Sequence, residues 1–281
     1  MVAAGKDSPI DVQALRLADD IFMRACFQRN KDCAALMLRI ILGKPDLEVE
    51  RVETQKALDK IGGRSLRLDV LTTDSEARLY NIEIQLDDRG ADPHRARYHL
   101  SMMDAVTEEP GKYFERLPET YVIIITARDV LGHGRPLYVF ERRTADGLLL
   151  NDGSHIVYVN GAMRDGLTEL GRLMHDLFCP DPDAMYYELL ARVTRYFKED
   201  DEGVAKMGSM YEEILERGER RGLEKGLETG RKEGRQEGRL AEKFSGAARM
   251  LAVGKLSLEE IAAYAGLDLD EVRALAASKT H

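Results

Sequence analysis

Asp69 and Glu83 are the residues of this chain best placed to do chemistry. They lie in the stretch 66–86, LRLDVLTTDSEARLYNIEIQL. In its first half Leu66, Leu68 and Val70 alternate with Arg67, Asp69 and Leu71. In its second half Tyr80, Ile82, Ile84 and Leu86 alternate with Leu79, Asn81, Glu83 and Gln85. That period of two predicts two strands, and TDSEA between them is turn chemistry, so a β-hairpin is expected. On one face of adjacent strands the two carboxylates would stand about 5–8 Å apart. Like charges so close repel unless something positive sits between them, and a divalent cation is the simplest candidate. Phosphodiester hydrolysis needs a nucleophilic water and a way to hold negative charge on phosphorus. One or two Mg²⁺ (or Mn²⁺) ions held by carboxylates supply both. Asp69 and Glu83 would be the metal ligands and the Ile84 backbone carbonyl a further oxygen. Gln85 would hydrogen-bond the water or a phosphate oxygen. The bland reading of the same residues is an exposed hairpin face, where acids are ordinary.

The elements that must position this hairpin read as α/β. Residues 11–29 carry Leu15, Ile21, Phe22 and Ala25 at helical spacing. Residues 32–42, DCAALMLRIIL, predict a buried helix stopped by Gly43 and Pro45. After the hairpin, Asp92 and Pro93 open a helix over 93–106. YVIIIT at 121–126 is a continuous apolar run, as in a strand covered on both faces. Further strands are expected at 137–143 and 155–160, and helices at about 165–178 and 183–197. The prediction is helices, a mixed β-sheet, then helices.

Composition bounds the class. The chain has 281 residues, of which 44% are hydrophobic, enough for one large domain and an appendage. No run of eighteen apolar residues predicts a membrane span. The first ten residues read as a loose tail and lack the layout of a secretory signal. Three cysteines, Cys26, Cys33 and Cys179, have neither metal-type spacing nor an even count. The histidines form no His-x-x-x-His pair. A reduced, cytoplasmic setting without zinc is the expectation. The net charge of −9 argues weakly against electrostatic coating of nucleic acid, though not against a local basic groove.

Composition changes near residue 203. Glycine recurs at 218, 222, 226, 230, 234 and 238 among Glu, Arg and Lys. Six glycines cost a helix roughly 5–6 kcal/mol relative to alanine, and i,i+4 charge pairs return about 0.2–0.5 kcal/mol each. The segment reads either as a helical arm for self-association or as a charged linker. Beyond it, Ser257-x-x-Glu260 and Asp268-x-x-Glu271 look like capping boxes. Gly254 and Gly266 stand where helices would stop. Ala262, Gly266 and Val272 have helix-turn-helix spacing, but Asp268, Asp270 and Glu271 would repel phosphate at the second helix's start. A protein-contact module is favoured over a DNA reader.

Taken together, RLDV followed by YNIEIQ resembles the PD-(D/E)xK nuclease superfamily, in the variant with Gln in place of Lys. More narrowly the chain is similar to the recombination-promoting nuclease (transposase-like) family. DDIFMRACF upstream, RARYHLSMMDAV and LPETYVIIIT downstream, and the glycine repeat share that resemblance, over roughly residues 15–245. It implies a restriction-endonuclease-like core, residues 11–200, with a mixed sheet flanked by helices. A Gly-repeat arm (201–243) and a small helical module (244–281) would follow. It implies Mg²⁺-dependent DNA cleavage tied to recombination, mobile elements or defence. It matches Asp69, Glu83 and Gln85 to the site, with Asp20 as a further acid from the first helix. With Gln85 neutral, either the metals suffice, or Lys56, Lys60 or Arg67 brings the missing positive charge, or the enzyme is slow. Arg95, Tyr98 and His99 on the helix 93–106 are candidates for DNA phosphate contacts. The expected partners are DNA and a second copy of the chain through residues 203–243, with no membrane. The rival readings are a catalytically silent DNA- or protein-binding module, and an assembly protein acting through the arm.

Overall fold

The computed structural model describes residues 11–28, 30–58, 66–107 and 117–278. The expected N-terminal tail and Lys60 lie outside the described residues. The chain divides into two compact units, up to Glu212 and from Glu213 onward. Among the described residues no helix is long and apolar enough to cross a membrane.

The first unit is a mixed six-stranded sheet between two helical layers. Its strands are β1 (Val49–Leu58), β2 (Leu66–Asp74), β3 (Leu79–Gln85), β4 (Thr120–Thr126), β5 (Leu137–Phe140) and β6 (Ser154–Asn160). Their spatial order is β1-β2-β3-β4-β6-β5. The first three strands run antiparallel; β3 with β4, and β4 with β6, are parallel; β5 is an antiparallel edge. The helices α1 (Asp20–Phe27), α2 (Lys31–Leu42), α4 (Glu169–Phe178) and α5 (Glu188–Glu199) cover one face, and α3 (Pro93–Thr107) the other. Ile123 and Ile125 of β4 pack on the first face while Val122 and Ile124 pack on the second. A strand covered on both sides has no polar face, hence the unbroken apolar run. Helix α3 is the crossover that a parallel β3–β4 pair needs.

The expected hairpin forms, with β2 and β3 in the register Val70↔Ile82 and Thr72↔Tyr80. Two corrections follow. The sequence reading missed β1, whose polar VERVETQKAL forms the edge of the sheet. Strict alternation along β2 also fails: Leu68 packs with the α3 layer and Val70 with the larger layer. Asp69 sits at this break. Opposite it Gln55 of β1 has φ +54°, left-handed for a non-glycine residue.

The start of the chain also differs from the single helix expected over 11–29. A 3-10 turn at Val12–Ala14 precedes α1, and the Asp19 carboxylate accepts from the Arg16 backbone amide (2.8 Å) in between. Helix α2 ends on Gly43 at φ +63°, where its missing Cβ removes the left-handed penalty.

Helix α6 (Asp201–Val253) starts in the first unit and continues without interruption into the second, through the glycine repeat, so the segment is helical. The boundary expected at 243/244 falls inside this helix. Residues 215–243 are exposed throughout, and a Cβ added at any of the six glycines would meet open space. The end of α6 packs with α7 (Leu258–Ala265) and α8 (Leu269–Ser278) around Ala247, Ile261, Ala262, Leu267 and Val272. The first capping box forms, with Ser257 and Glu260 bonded reciprocally at the start of α7; of the second, the Asp268 amide donates to Glu271 (2.8 Å). Gly254 and Gly266 end their helices at φ +66° and +61°.

Candidate active site

Glu83 is the buried centre of the site, at 1% exposure on β3. Its Oε1 accepts from Asn81 Nδ2 (3.0 Å) and from the backbone amide of Asp69 (3.1 Å). His99 Nδ1 on α3 stands 3.5 Å from the same oxygen. On the other side, Oε2 accepts from Gln85 Nε2 (3.4 Å), with Arg95 Nη2 at 3.9 Å. Burial alone would push the Glu83 carboxyl up, but His99, the Asp69 amide and Asn81 together hold it below the usual carboxylate range. Glu83 is thereby kept ionised.

Asp69 is its opposite. Burial, then the charge of Glu83, then that of Asp20, push its carboxyl up to about 8, against a smaller pull from Arg95. Asp74, five residues along the same strand, shows what a structural acid looks like. Burial raises it too, yet Tyr80 Oη and Arg78 Nε, both at 2.7 Å, bring it below its ordinary value. Asp74 has its cation. Asp69 has a second acid instead.

Asp20, the first residue of α1, completes the cluster through an intermediary. Gln55 Nε2 donates to Asp20 Oδ1 (3.1 Å) and to Asp69 Oδ1 (3.3 Å). One amide nitrogen thus joins acids from α1 and β2. Its backbone conformation costs of order 1–3 kcal/mol, and such outliers persist where the surrounding structure holds them. Gln85 is fixed by a different device. A Cβ on Gly90 would overlap Gln85 Oε1 and stand 2.7 Å from its Cδ. Glycine at 90 lets this side chain lie back against Glu83.

Beside the acids opens a depression of about 660 Å³ lined by Arg67, Arg89, Arg95, His94, Tyr98 and Asp92. Arg95 is largely exposed and bridges this basic floor to Glu83. All three candidates for phosphate contacts, Arg95, Tyr98 and His99, line it. His99 is also buried, at 1% exposure, and turns its Nδ1 to Glu83 and Asn81, so it orients the carboxylate from behind. Its Nε2 and Asn81 Oδ1 are buried with no partner among the described residues. Of the cations expected to replace the absent lysine, Lys56 is paired with Glu53 (2.8 Å), and Arg67 lines the depression. Arg95 is the positive group that approaches Glu83.

The sequence reading brought together Asp69, Glu83, Gln85 and Asp20, and the structure places all four within this cluster. Ile84 directs its side chain into the main core, and the β2–β3 pairing reaches only to Ile82 on β3. Gln55, Asn81 and Arg89 were missed. Asn81 had a signal, being polar on the row of Glu83; Gln55 had none, because β1 itself was not recognised. The donor set of Asp20, Asp69 and Glu83 is all oxygen, the chemistry that hard dications such as Mg²⁺ take. As the side chains stand, no group of three or more His, Cys, Asp or Glu among the described residues is arranged to hold a metal. The Gln55 amide occupies the gap between Asp20 and Asp69. Two repelling acids held at one point nevertheless fit a cation better than they fit each other.

Compared with protein-family models, with curated proteins and with solved structures, the chain matches none.

Proposed function

We propose that this protein is a divalent-cation-dependent DNA endonuclease with a restriction-endonuclease-like core. The observation that carries the reading is the meeting of Asp69 and Glu83 behind an arginine-lined depression, to which Arg95 and His99 connect them. The element order supports it: a helix bearing Asp20, three antiparallel strands bearing Gln55, Asp69 and Glu83, a crossover helix bearing Arg95, and a parallel strand. Asp20, Asp69, Glu83 and the Ile84 carbonyl would hold Mg²⁺ or Mn²⁺, which supplies charge neutralisation at a phosphate and activates water. The chain's own groups have distinct tasks. His99 and Asn81 keep Glu83 ionised and aimed. Arg95, with Arg67 and Arg89, draws a DNA backbone into the depression, which positions a duplex without reading its sequence. Gln85, beside Glu83, orients water or a phosphate oxygen.

The rival is a catalytically silent binding module, favoured by the neutral Gln85 where a lysine would act. One assay separates them: supercoiled plasmid incubated with the purified protein and Mg²⁺, Mn²⁺, Ca²⁺ or chelator. Nicking with Mg²⁺ or Mn²⁺ that Asp69→Ala and Glu83→Ala each abolish supports the nuclease. DNA retention without nicking supports the silent module, and full activity in either variant removes the site. Links to recombination, mobile elements or defence, and self-association through α6, belong to the same proposal.

A further inference from the structure

We propose that Gln55 is a latch on the acid cluster: its side-chain amide holds the place between Asp20 and Asp69 and must leave before a dication enters. The inference rests on the dication reading above. Three observations carry it. Gln55 Nε2 reaches both Asp20 Oδ1 and Asp69 Oδ1, so a single N–H₂ group stands where the two oxygens converge. The backbone at Gln55 is left-handed, at φ +54° in the middle of a strand. Gln55 is also absent from the β1–β2 register, although Thr54 pairs with Val70 and Lys56 with Leu68. Pairing lapses at Gln55, as it does at Glu50 near the start of the strand, and the Gln55 side chain turns to the acids.

An amide suits this task and a lysine would not. Two N–H donors satisfy two acceptor oxygens without adding a charge that would have to be expelled with the ion. The contact to Asp20 is of ordinary length, 3.1 Å, and that to Asp69 is long, 3.3 Å, so the amide is held weakly on the Asp69 side. The side chain is half-buried and has solvent to swing into. When it leaves, the β1 distortion has no side-chain anchor. Cation entry and relaxation of the edge strand are therefore coupled, and Gln55 sets the cation concentration at which the site fills. It is a positioning residue and touches no substrate.

The test is the cation dependence of thermal unfolding, read on the full chain with Mg²⁺ and Mn²⁺ titrated separately. Wild type, Gln55→Ala and Gln55→Gly are compared with Asp69→Ala. Gln55→Ala removes the amide and keeps the strain; Gln55→Gly removes both and guards against poor folding of the alanine variant. If the latch is real, both Gln55 variants fill at a cation concentration about tenfold lower than wild type, as expected for losing two hydrogen bonds that the cation must otherwise displace. An unchanged or higher midpoint in both variants overturns the latch while leaving the dication site standing. A wild type without any cation response is also decisive. A response gained in Gln55→Ala or Gln55→Gly supports a closed latch. No response in any variant removes the latch and the dication reading together. A response retained in Asp69→Ala places the cation elsewhere and removes both as well.

Discussion

The backbone amide of Asp69 donates to the side chain of Glu83 at 3.1 Å, so the strand that carries one acid also solvates the other. This bond ties the ionisation of Glu83 to the path of β2. It also explains why the two acids behave differently while adjacent. Glu83 receives donors from β2, β3 and α3. Asp69 spends its own N–H on Glu83 and faces the negative charges of Glu83 and Asp20.

Stability without cation should fall with rising pH. Asp69 in the folded chain holds its proton up to about 8, far above the ordinary carboxylate value near 4. Between those values the folded state binds the extra proton, so deprotonation works against folding. Glu83 acts in the opposite sense, but only below the usual carboxylate range, where its contribution is lost as it is protonated. Urea unfolding in chelator from pH 5 to 8 should show declining stability that Asp69→Asn flattens. A wild-type profile with the same slope as Asp69→Asn would remove this account of the pair.

Gly90→Ala should separate folding from catalysis. The glycine has an ordinary backbone, so alanine brings no strain there; its Cβ displaces only the tip of Gln85. The melting temperature should stay within a few degrees of wild type. Plasmid nicking should drop to the level of Gln85→Ala, and combining the two substitutions should cost little more, because both remove the same contact. Additive losses in the double variant would mean that Gly90 acts elsewhere.

The arm should be an assembly element. Over residues 215–243, six glycines and a fully exposed surface leave a helix that propensity alone disfavours by about 5–6 kcal/mol. Small residues in an i, i+4 row permit close approach of a second helix. Sedimentation equilibrium of the full chain should give a mass above that of one 31.6 kDa protomer. Deleting 215–243 should return it to the monomer. A monomeric full chain at micromolar concentration would leave α6 without this role.

Much of the fold was legible because its signals are local. The apolar run of β4, the alternation of β3, Pro93 at the head of α3 and the glycine stops at 43, 254 and 266 each act within a few residues. The acids at 69 and 83 were legible for the same reason, since a hairpin converts sequence alternation directly into a shared face. What lay beyond the sequence was everything set by contacts far apart along the chain. Strand β1 has no apolar period of its own; it is a strand because β2 offers it an edge. The break at Asp69, the left-handed turn at Gln55, the burial of His99 under Glu83 and the approach of Arg95 all arise where two helical layers meet across the sheet. Spacing can bring two acids side by side. Only packing decides which one keeps its proton, which amide lies between them and which cation stands near, because burial and long-range charge belong to the folded chain and to no segment of it.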